Sequence, residues 1–313
     1  MTSADSNNGT NNSPEFVSGE NARHDFPYPS HYIDIKGSKM HFVEKGVGDP
    51  ILFLHGQPTW SYLWRNVMPE LEGNGRLIAL DLIGYGKSDK PDIGYEMTDH
   101  IEYIEAFIEK MGLKNITLVI HDWGSYFGAH YAMSHPENVK GIAFMEALLL
   151  PISSYDAFEP HIKEFFVTLR SSQKAALEMM VDKNLFIESV LPALIDRKLT
   201  EDEWDAYREP FKKPEDRKIL CKFPQNLVIG GQPRANYDRQ MTYLKKLQES
   251  KLPKLLIATS QALLITAEVV KWAQSNLPNL KVVHIGDGLH YIQEDNPHEI
   301  GKAISEWMIE NNI

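Results

Sequence analysis

The residue types that could do chemistry converge on one carboxylate. The apolar, β-branched run Ile116-Thr117-Leu118-Val119-Ile120 has the pattern of a buried strand. It turns at His121-Asp122-Trp123-Gly124 into Tyr126-Phe127-Gly128-Ala129-His130-Tyr131-Ala132-Met133, which reads as a helix with small residues on one side. A strand that breaks straight into a helix across a small residue forms an elbow. Such an elbow holds one side chain above the sheet edge, beside the positive end of the helix. Here that side chain is Asp122, and Ile120 stands where a small residue is usual. On the local sequence alone, an aspartate that merely caps the helix fits equally well.

A nucleophile on an elbow needs a base, and the base needs an orienting acid. Among twelve histidines, His290 follows the last strand in the loop Gly286-Asp287-Gly288-Leu289-His290, just before the final helix. The rival His284 sits inside a strand and is expected to point into the packing of the sheet. The acid is expected after the next-to-last strand, but Leu255 to Thr266 contains no carboxylate. Glu146 closes the strand after the elbow and is the replacement; the alternative for it is an ion pair with an arginine elsewhere.

An aspartate nucleophile needs no proton removed before it attacks. It can displace an anionic leaving group from saturated carbon and become an ester, which His290, held by Glu146, cleaves by activating water. The indole N–H of Trp123 is a donor without an acceptor and suits a halide, though plain core packing is its simpler reading. The backbone N–H groups of Trp123 and Gln57 can stabilise the oxyanion during hydrolysis. Gly86-Lys87-Ser88 resembles the end of a phosphate loop, but position 81 is aspartate where that pattern needs glycine. No G-x-G-x-x-G follows the first strand and no metal-ligand spacing occurs, so neither a dinucleotide nor a metal is expected.

These residues need a sheet with its strand ends together. A hairpin is expected from His31 to Glu44, then short buried strands at Ile51–Leu54, Leu77–Leu80, Ile116–Ile120, Val139–Met145, Leu255–Ala258 and Lys281–Ile285. Helices are expected at about Ser61–Leu71, around Ile101–Ile108 and ending at Gly112, at Ala267–Ser275 and from Pro297. The alternation implies an α/β fold, a mostly parallel sheet with helices on both faces and its chemistry at the carboxyl ends of the strands. His55, Asp81, Asp122 and Glu146 all fall at such ends. From about Pro151 to Gly230 the rhythm stops and the chain is helical, with Phe158, Phe165, Phe166, Leu169, Phe186, Ile187, Leu191, Trp204, Tyr207 and Phe211 as apolar anchors. An inserted cap over residues 151–230 is therefore expected on a core of residues 26–150 and 231–313. Residues 1–25, rich in Ser, Asn and Gly and without an apolar h-region, read as a disordered tail.

The totals narrow the classes. A formal net charge of -11 argues against nucleic acid, and no apolar run reaches membrane-spanning length. The single cysteine, Cys221, fits a reducing compartment, hence a cytoplasmic location.

Taken together, several motifs resemble those of the haloalkane dehalogenases of the α/β-hydrolase superfamily. They are His55-Gly56-Gln57-Pro58-Thr59, Ser61-Tyr62-Leu63-Trp64-Arg65-Asn66, Asp81 through Asp92, Ile120 through Ser125, Met145-Glu146, Tyr207 through Phe211 and Gly288-Leu289-His290-Tyr291. The resemblance runs from about Phe26 to the C-terminus. It implies an α/β-hydrolase fold with a helical cap, no cofactor, Asp122 as nucleophile, Glu146 as acid, His290 as base and Trp123 as one of two halide donors. The second donor in this branch is normally asparagine, where Gln57 stands one methylene longer, on the order of 1.5 Å. Ala258-Thr259-Ser260-Gln261 replaces a frequent Trp-Gly turn. Leu263 and Leu264 beside it, with Phe165, Phe166 and Leu169 of the cap, are expected to line the pocket for a small apolar halogenated substrate. The protein is expected to be a monomer or weak homo-oligomer. The same skeleton is similar to the coelenterazine-type luciferases. Epoxide hydrolases share His-Asp-Trp-Gly and would need two cap tyrosines, for which Tyr155 and Tyr207 are the candidates. A non-enzymatic ligand receptor on this fold is a further alternative.

Overall fold

The computed structural model describes residues 26–313 and, ahead of them, the short strand β1 (Val17–Gly19). The tail expected over residues 1–25 otherwise lies outside the described residues; at β1 the backbone pairs antiparallel with the next strand, where no order was expected. The opening hairpin is β2 (Ser30–Ile35) and β3 (Ser38–Lys45), joined through Lys36 and Gly37. Both joining residues have positive φ, +55° and +81°, as a tight turn between twisted strands requires.

Six strands follow: β4 (Pro50–Leu54), β5 (Arg76–Leu80), β6 (Ile116–Asp122), β7 (Val139–Ala147), β8 (Lys254–Ala258) and β9 (Leu280–His284). They are mutually parallel, and the sheet order is β1-β2-β3-β5-β4-β6-β7-β8-β9. The chain runs from β4 outward to β5, then returns to the other side of β4 with β6. A crevice opens where a parallel sheet reverses its order in this way, and the loop after β4 and the elbow after β6 flank it.

Side chains alternate across the sheet with the two-residue period of a strand. Leu52, Leu54, Ile78, Leu80, Leu118 and Ile120 pack with the helices Met97–Lys110 and Trp123–Ser134. Ile51, Phe53, Leu77, Ala79 and Val119 pack on the opposite face with Trp64 and the helix Pro297–Asn311. Every residue of β4 and β6 is buried, which is why their sequences are continuous apolar runs.

Two expectations are corrected. Ser61–Leu71 is not one helix but two 3₁₀ segments, Ser61–Trp64 and Met68–Leu71. Residues 61–65 are all buried, so no single face meets the core, and Pro69 lacks the N–H a longer helix would use. His284 ends the edge strand β9 and is exposed, because no neighbouring strand covers it.

Between β7 and β8 the chain leaves the sheet. It forms the helices Pro160–Ser171, Gln173–Leu177, Glu201–Arg208 and Lys222–Asn226 with 3₁₀ and π-helical segments between them, among them Pro214–Cys221. A bridge between Ile152 and Ile229 brings the two ends of this helical insertion side by side. The helix Arg234–Glu249 then returns the chain to β8.

Candidate active site

The elbow is built by close backbone approach. Asp122 has φ +46° and ψ −125°, a conformation costly for a side chain with a Cβ, on the order of 1–3 kcal/mol. Two glycines permit it. A Cβ on Gly124 would lie 2.1 Å from the Leu54 carbonyl oxygen, and one on Gly128 would lie 2.6 Å from Ile120 Cγ2. Gly128 thus gives, from the helix, the room that a small residue at position 120 would otherwise give. The Asp122 carboxylate makes no capping bond to the helix; its Oδ2 accepts the backbone N–H of Gln57 at 2.9 Å instead. That removes the capping alternative.

The structure brings Asp122, Glu146 and His290 together. His290 Nδ1 donates to Glu146 Oε2 at 2.9 Å, and its Nε2 lies 3.8 Å from Asp122 Oδ1. All three are buried. Glu146 does not meet an arginine. Its carboxylate accepts the backbone N–H groups of Leu263 at 3.0 Å, Leu264 at 3.0 Å and Ile265 at 3.0 Å. Four donors thus meet on one buried carboxylate, and their geometry fixes the imidazole tautomer, with the proton on Nδ1 and Nε2 facing Asp122. Burial pulls the His290 imidazole down, but the bond to Glu146 and the charges of Asp122 and Glu146 outweigh it and raise its pKa above the ordinary value. Burial raises the Asp122 carboxyl, against the pull of His290 and the N–H groups of Gln57 and Trp123.

Gln57 is tied at every polar position. Its N–H meets Asp122, and its carbonyl accepts the Tyr291 hydroxyl at 2.8 Å. Its Oε1 accepts the Tyr85 hydroxyl at 2.9 Å, and its Nε2 donates to the Leu220 carbonyl of the insertion at 3.0 Å. One of the two amide hydrogens is left over. Trp123 stacks on Phe223 of the insertion, with centroids 4.7 Å apart at 24°, and among the described residues nothing accepts its indole N–H. A carboxylate with one oxygen held by an N–H, the other facing an acid-oriented imidazole, and unspent N–H donors nearby can take an electrophilic carbon and then be hydrolysed.

A family model for the alpha/beta hydrolase fold matches residues 49–297. A haloalkane dehalogenase of Mesorhizobium japonicum is 39% identical over 281 residues, spanning 89% of this chain and 90% of that protein. Another, from Sphingobium indicum, is 42% identical over 283 residues, spanning 88% and 94%. This chain belongs to the haloalkane dehalogenase family. Among solved structures of haloalkane dehalogenases, DbeA of Bradyrhizobium elkani superposes with a TM-score of 0.88 at 36% identity, over 90% of this chain and 98% of that one. DatA of Agrobacterium tumefaciens superposes with a TM-score of 0.86 at 34% identity, over 90% and 96%.

Within this haloalkane dehalogenase fold, the other residues singled out in the sequence divide. His55 and Asp81 are consumed by local structure. His55 donates from Nδ1 to the Gly56 carbonyl and accepts the Leu82 N–H on Nε2. Asp81 holds His41 and the N–H groups of Ser61 and Lys87; burial works to raise its carboxyl, but His41, His55 and the Lys87 N–H outweigh it and lower its pKa to about 2. Tyr207 donates to Glu294 within an ion-pair network, and Tyr155 accepts a bond from Arg170, which otherwise holds the carbonyls of Pro224, Gln225 and Leu227. Leu169 lies in the same apolar cluster as Trp123 and Phe223. Phe165 packs edge-on against Phe166 and Phe186, while Phe166 stacks on Phe158. Leu263 and Leu264 are half-buried, and their backbone N–H groups hold Glu146. Among the described residues no cluster of metal-ligating side chains occurs, and no helix is long and apolar enough to cross a membrane. Sequence reasoning missed Tyr85, Tyr291 and the backbone donors of residues 263–265. Tyr291 stands next to His290 in the chain, which was its available signal; Tyr85 is 28 residues from Gln57, and backbone donors leave no signal.

Proposed function

We propose that the protein hydrolyses haloalkanes to an alcohol and halide through a covalent alkyl-aspartate ester. The observation that carries this reading is the division of labour at Asp122, whose Oδ2 is held by the Gln57 N–H while Oδ1 faces His290 Nε2 across 3.8 Å. In the first step Oδ1 attacks the carbon bearing the halogen, the carbon–halogen bond breaks, and the halide departs with the bonding pair. The indole N–H of Trp123 and the second amide hydrogen of Gln57 take the anion.

In the second step water enters between His290 and the ester. The 3.8 Å separation exceeds a direct hydrogen bond and leaves the imidazole free for it. His290 Nε2 takes a proton as the water oxygen attacks Asp122 Cγ, and Glu146 steadies the imidazolium. The oxyanion formed on Oδ2 is met by the N–H groups of Gln57 and Trp123. Collapse breaks the bond from Cγ to the alkyl-bearing oxygen, which recovers the proton from His290 and leaves as alcohol. The water proton left on the Asp122 carboxyl passes to solvent as the carboxylate is restored. No step requires a cofactor.

The reading takes residues 151–230 as a cap over the core, with Phe165, Phe166, Leu169, Leu263 and Leu264 toward a small apolar halogenated substrate. It takes the protein as cytoplasmic and as a monomer or weak homo-oligomer, consistent with a buried lone cysteine and a net charge of -11. The engagement of Tyr207, whose hydroxyl proton is given to Glu294, counts against epoxide opening. The test is halide release and acidification with 1,2-dibromoethane and 1-iodobutane, with Asp122→Ala as control. Release by the intact protein alone is expected. No release from either substrate, with light from coelenterazine or a diol from an epoxide instead, would sink the reading.

A further inference from the structure

The base is held twice. Its ring is fixed by Glu146, and its backbone is fixed by the helical insertion. The Leu194 carbonyl accepts the N–H groups of both His290 and Tyr291, each at 3.1 Å. Tyr291 in turn donates its hydroxyl to the Gln57 carbonyl, but Gln57 is held independently by Tyr85 and the Leu220 carbonyl, so the Leu194 anchor bears chiefly on the base.

Leu194 lies in a stretch without regular structure between the short helix Leu191–Ala193 and the helix Glu201–Arg208. Long-range bonds to the core anchor it. Asp295 Oδ1 accepts the N–H groups of Asp196 at 2.9 Å and Arg197 at 3.0 Å. Arg197 Nε donates to the Glu294 carbonyl at 2.6 Å, and its fork meets both oxygens of Glu203 at 2.8 Å and the Glu294 carboxylate. Glu294 also takes Arg65 at 2.6 Å and 2.9 Å, and the Tyr207 hydroxyl. Two guanidinium groups and two carboxylates thus neutralise one another. Arg65 and Glu294 are buried at its centre, whereas the Arg197 side chain is 32% exposed and closes the cluster at the surface.

We propose that Arg197, which touches neither substrate nor reacting atoms, is a positioning residue for the ester-hydrolysis half of the reaction. The inference rests on the two-step dehalogenation above. Alkylation transfers no proton: Asp122 rides on its own strand β6, and Gln57 and Trp123, which receive the halide, keep their own contacts with Tyr85, Leu220 and Phe223. Hydrolysis needs the His290 ring within hydrogen-bonding reach of a water, and a displacement of about 1 Å there costs on the order of a hundredfold. Loosening Leu194 moves the base and leaves the nucleophile in place.

The experiment is rapid mixing of Arg197→Met with 1-iodobutane, following iodide release and intact mass. The expected result is a burst of one iodide per enzyme at the rate of the unaltered protein, then hydrolysis roughly 10- to 100-fold slower. The mass of one butyl group should accumulate on the enzyme. Arg197→Lys, which restores the charge without the fork, should recover part of the hydrolysis rate. Thermal melting separates this from simple unfolding, since the substituted side chain is partly exposed. An equal fall in the burst and steady rates, or a lower melting temperature with both rates unchanged, would overturn the assignment. If the unaltered protein releases no halide, the dehalogenase reading fails. The positioning claim is then read from the His290 Nδ1 proton resonance, which Arg197→Met should shift and which overturns the claim if it stays put.

Discussion

Tyr85→Phe separates the Gln57 amide from its setting while leaving the packing intact. The phenol ring stacks on Phe223, with centroids 5.2 Å apart at 17°, and phenylalanine keeps that stack. Only the donor to Gln57 Oε1 is lost. Because the Leu220 carbonyl can only accept, it demands Nε2 on its side, and Tyr85 must therefore donate to Oε1. Without Tyr85 a buried amide oxygen loses its partner, at about 1–3 kcal/mol. The melting temperature should fall by about 2–4 °C for each kcal/mol lost. The catalytic effect is larger if the amide leaves its seat. A hydrogen bond to an anion contributes about 1.5–3 kcal/mol, so halide affinity should weaken roughly ten- to hundredfold. Chloride, the poorer leaving group, depends most on that bond, so turnover of 1-chlorobutane should drop more than that of 1-iodobutane. The assay is saturable quenching of tryptophan fluorescence by bromide, together with kcat for the two substrates. Bromide binding within twofold of the unaltered protein, with the substrate ratio unchanged, would show that the Gln57 amide is not a halide donor.

Other outcomes follow from the same geometry. His290→Phe should release one halide per enzyme and then stop, with the alkyl group retained on Asp122; an unmodified mass after incubation with 1-iodobutane would contradict the ester. In the pH profile, turnover should rise with pH as His290 loses its proton and fall as pH drops, because hydrolysis needs the neutral imidazole. The Asp122 charge is one of the influences raising the resting His290 pKa, and alkylation removes it. The apparent pKa of hydrolysis-limited kcat should therefore lie below that of the resting imidazole titrated by NMR, and the reverse order would refute this coupling. Gly56→Ala would bring a Cβ 2.2 Å from Asp122 Oδ2, so the halide burst should slow at least about tenfold by displacement of the nucleophile. A normal burst rate would show that the backbone yields.

Much of this was legible because it is local. Ile51–Leu54 and Ile116–Ile120 are apolar runs that only a doubly covered strand explains, and the chain order placed Asp122, Glu146 and His290 at strand ends. The rest depends on partners far away in sequence. Arg65 and Glu294 are 229 residues apart, and neither announces the other. Ser61–Leu71 has helical spacing, but burial on every side at residues 61–65 overrides it. Leu263 and Leu264 read as pocket lining from their side chains, whereas their observed contact with Glu146 is through the main chain, which carries no residue identity. Ile120 looked like a fault in the elbow until Gly128 supplied the missing room.

The seat of Glu146 has a consequence for how this protein can diverge. Three successive main-chain N–H groups after β8 hold the acid, and almost any residue supplies an N–H. At 263 and 264 the loop is therefore free to exchange side chains, whereas Thr259 and Ser260 upstream are tied by their hydroxyls to Gly288 and Asp287 of the loop that carries His290. Proline at 263, 264 or 265 would delete a donor, and at 265 the buried Ile265 side chain also demands an apolar residue. The two half-buried leucines can change their side chains while the acid beneath them stays seated.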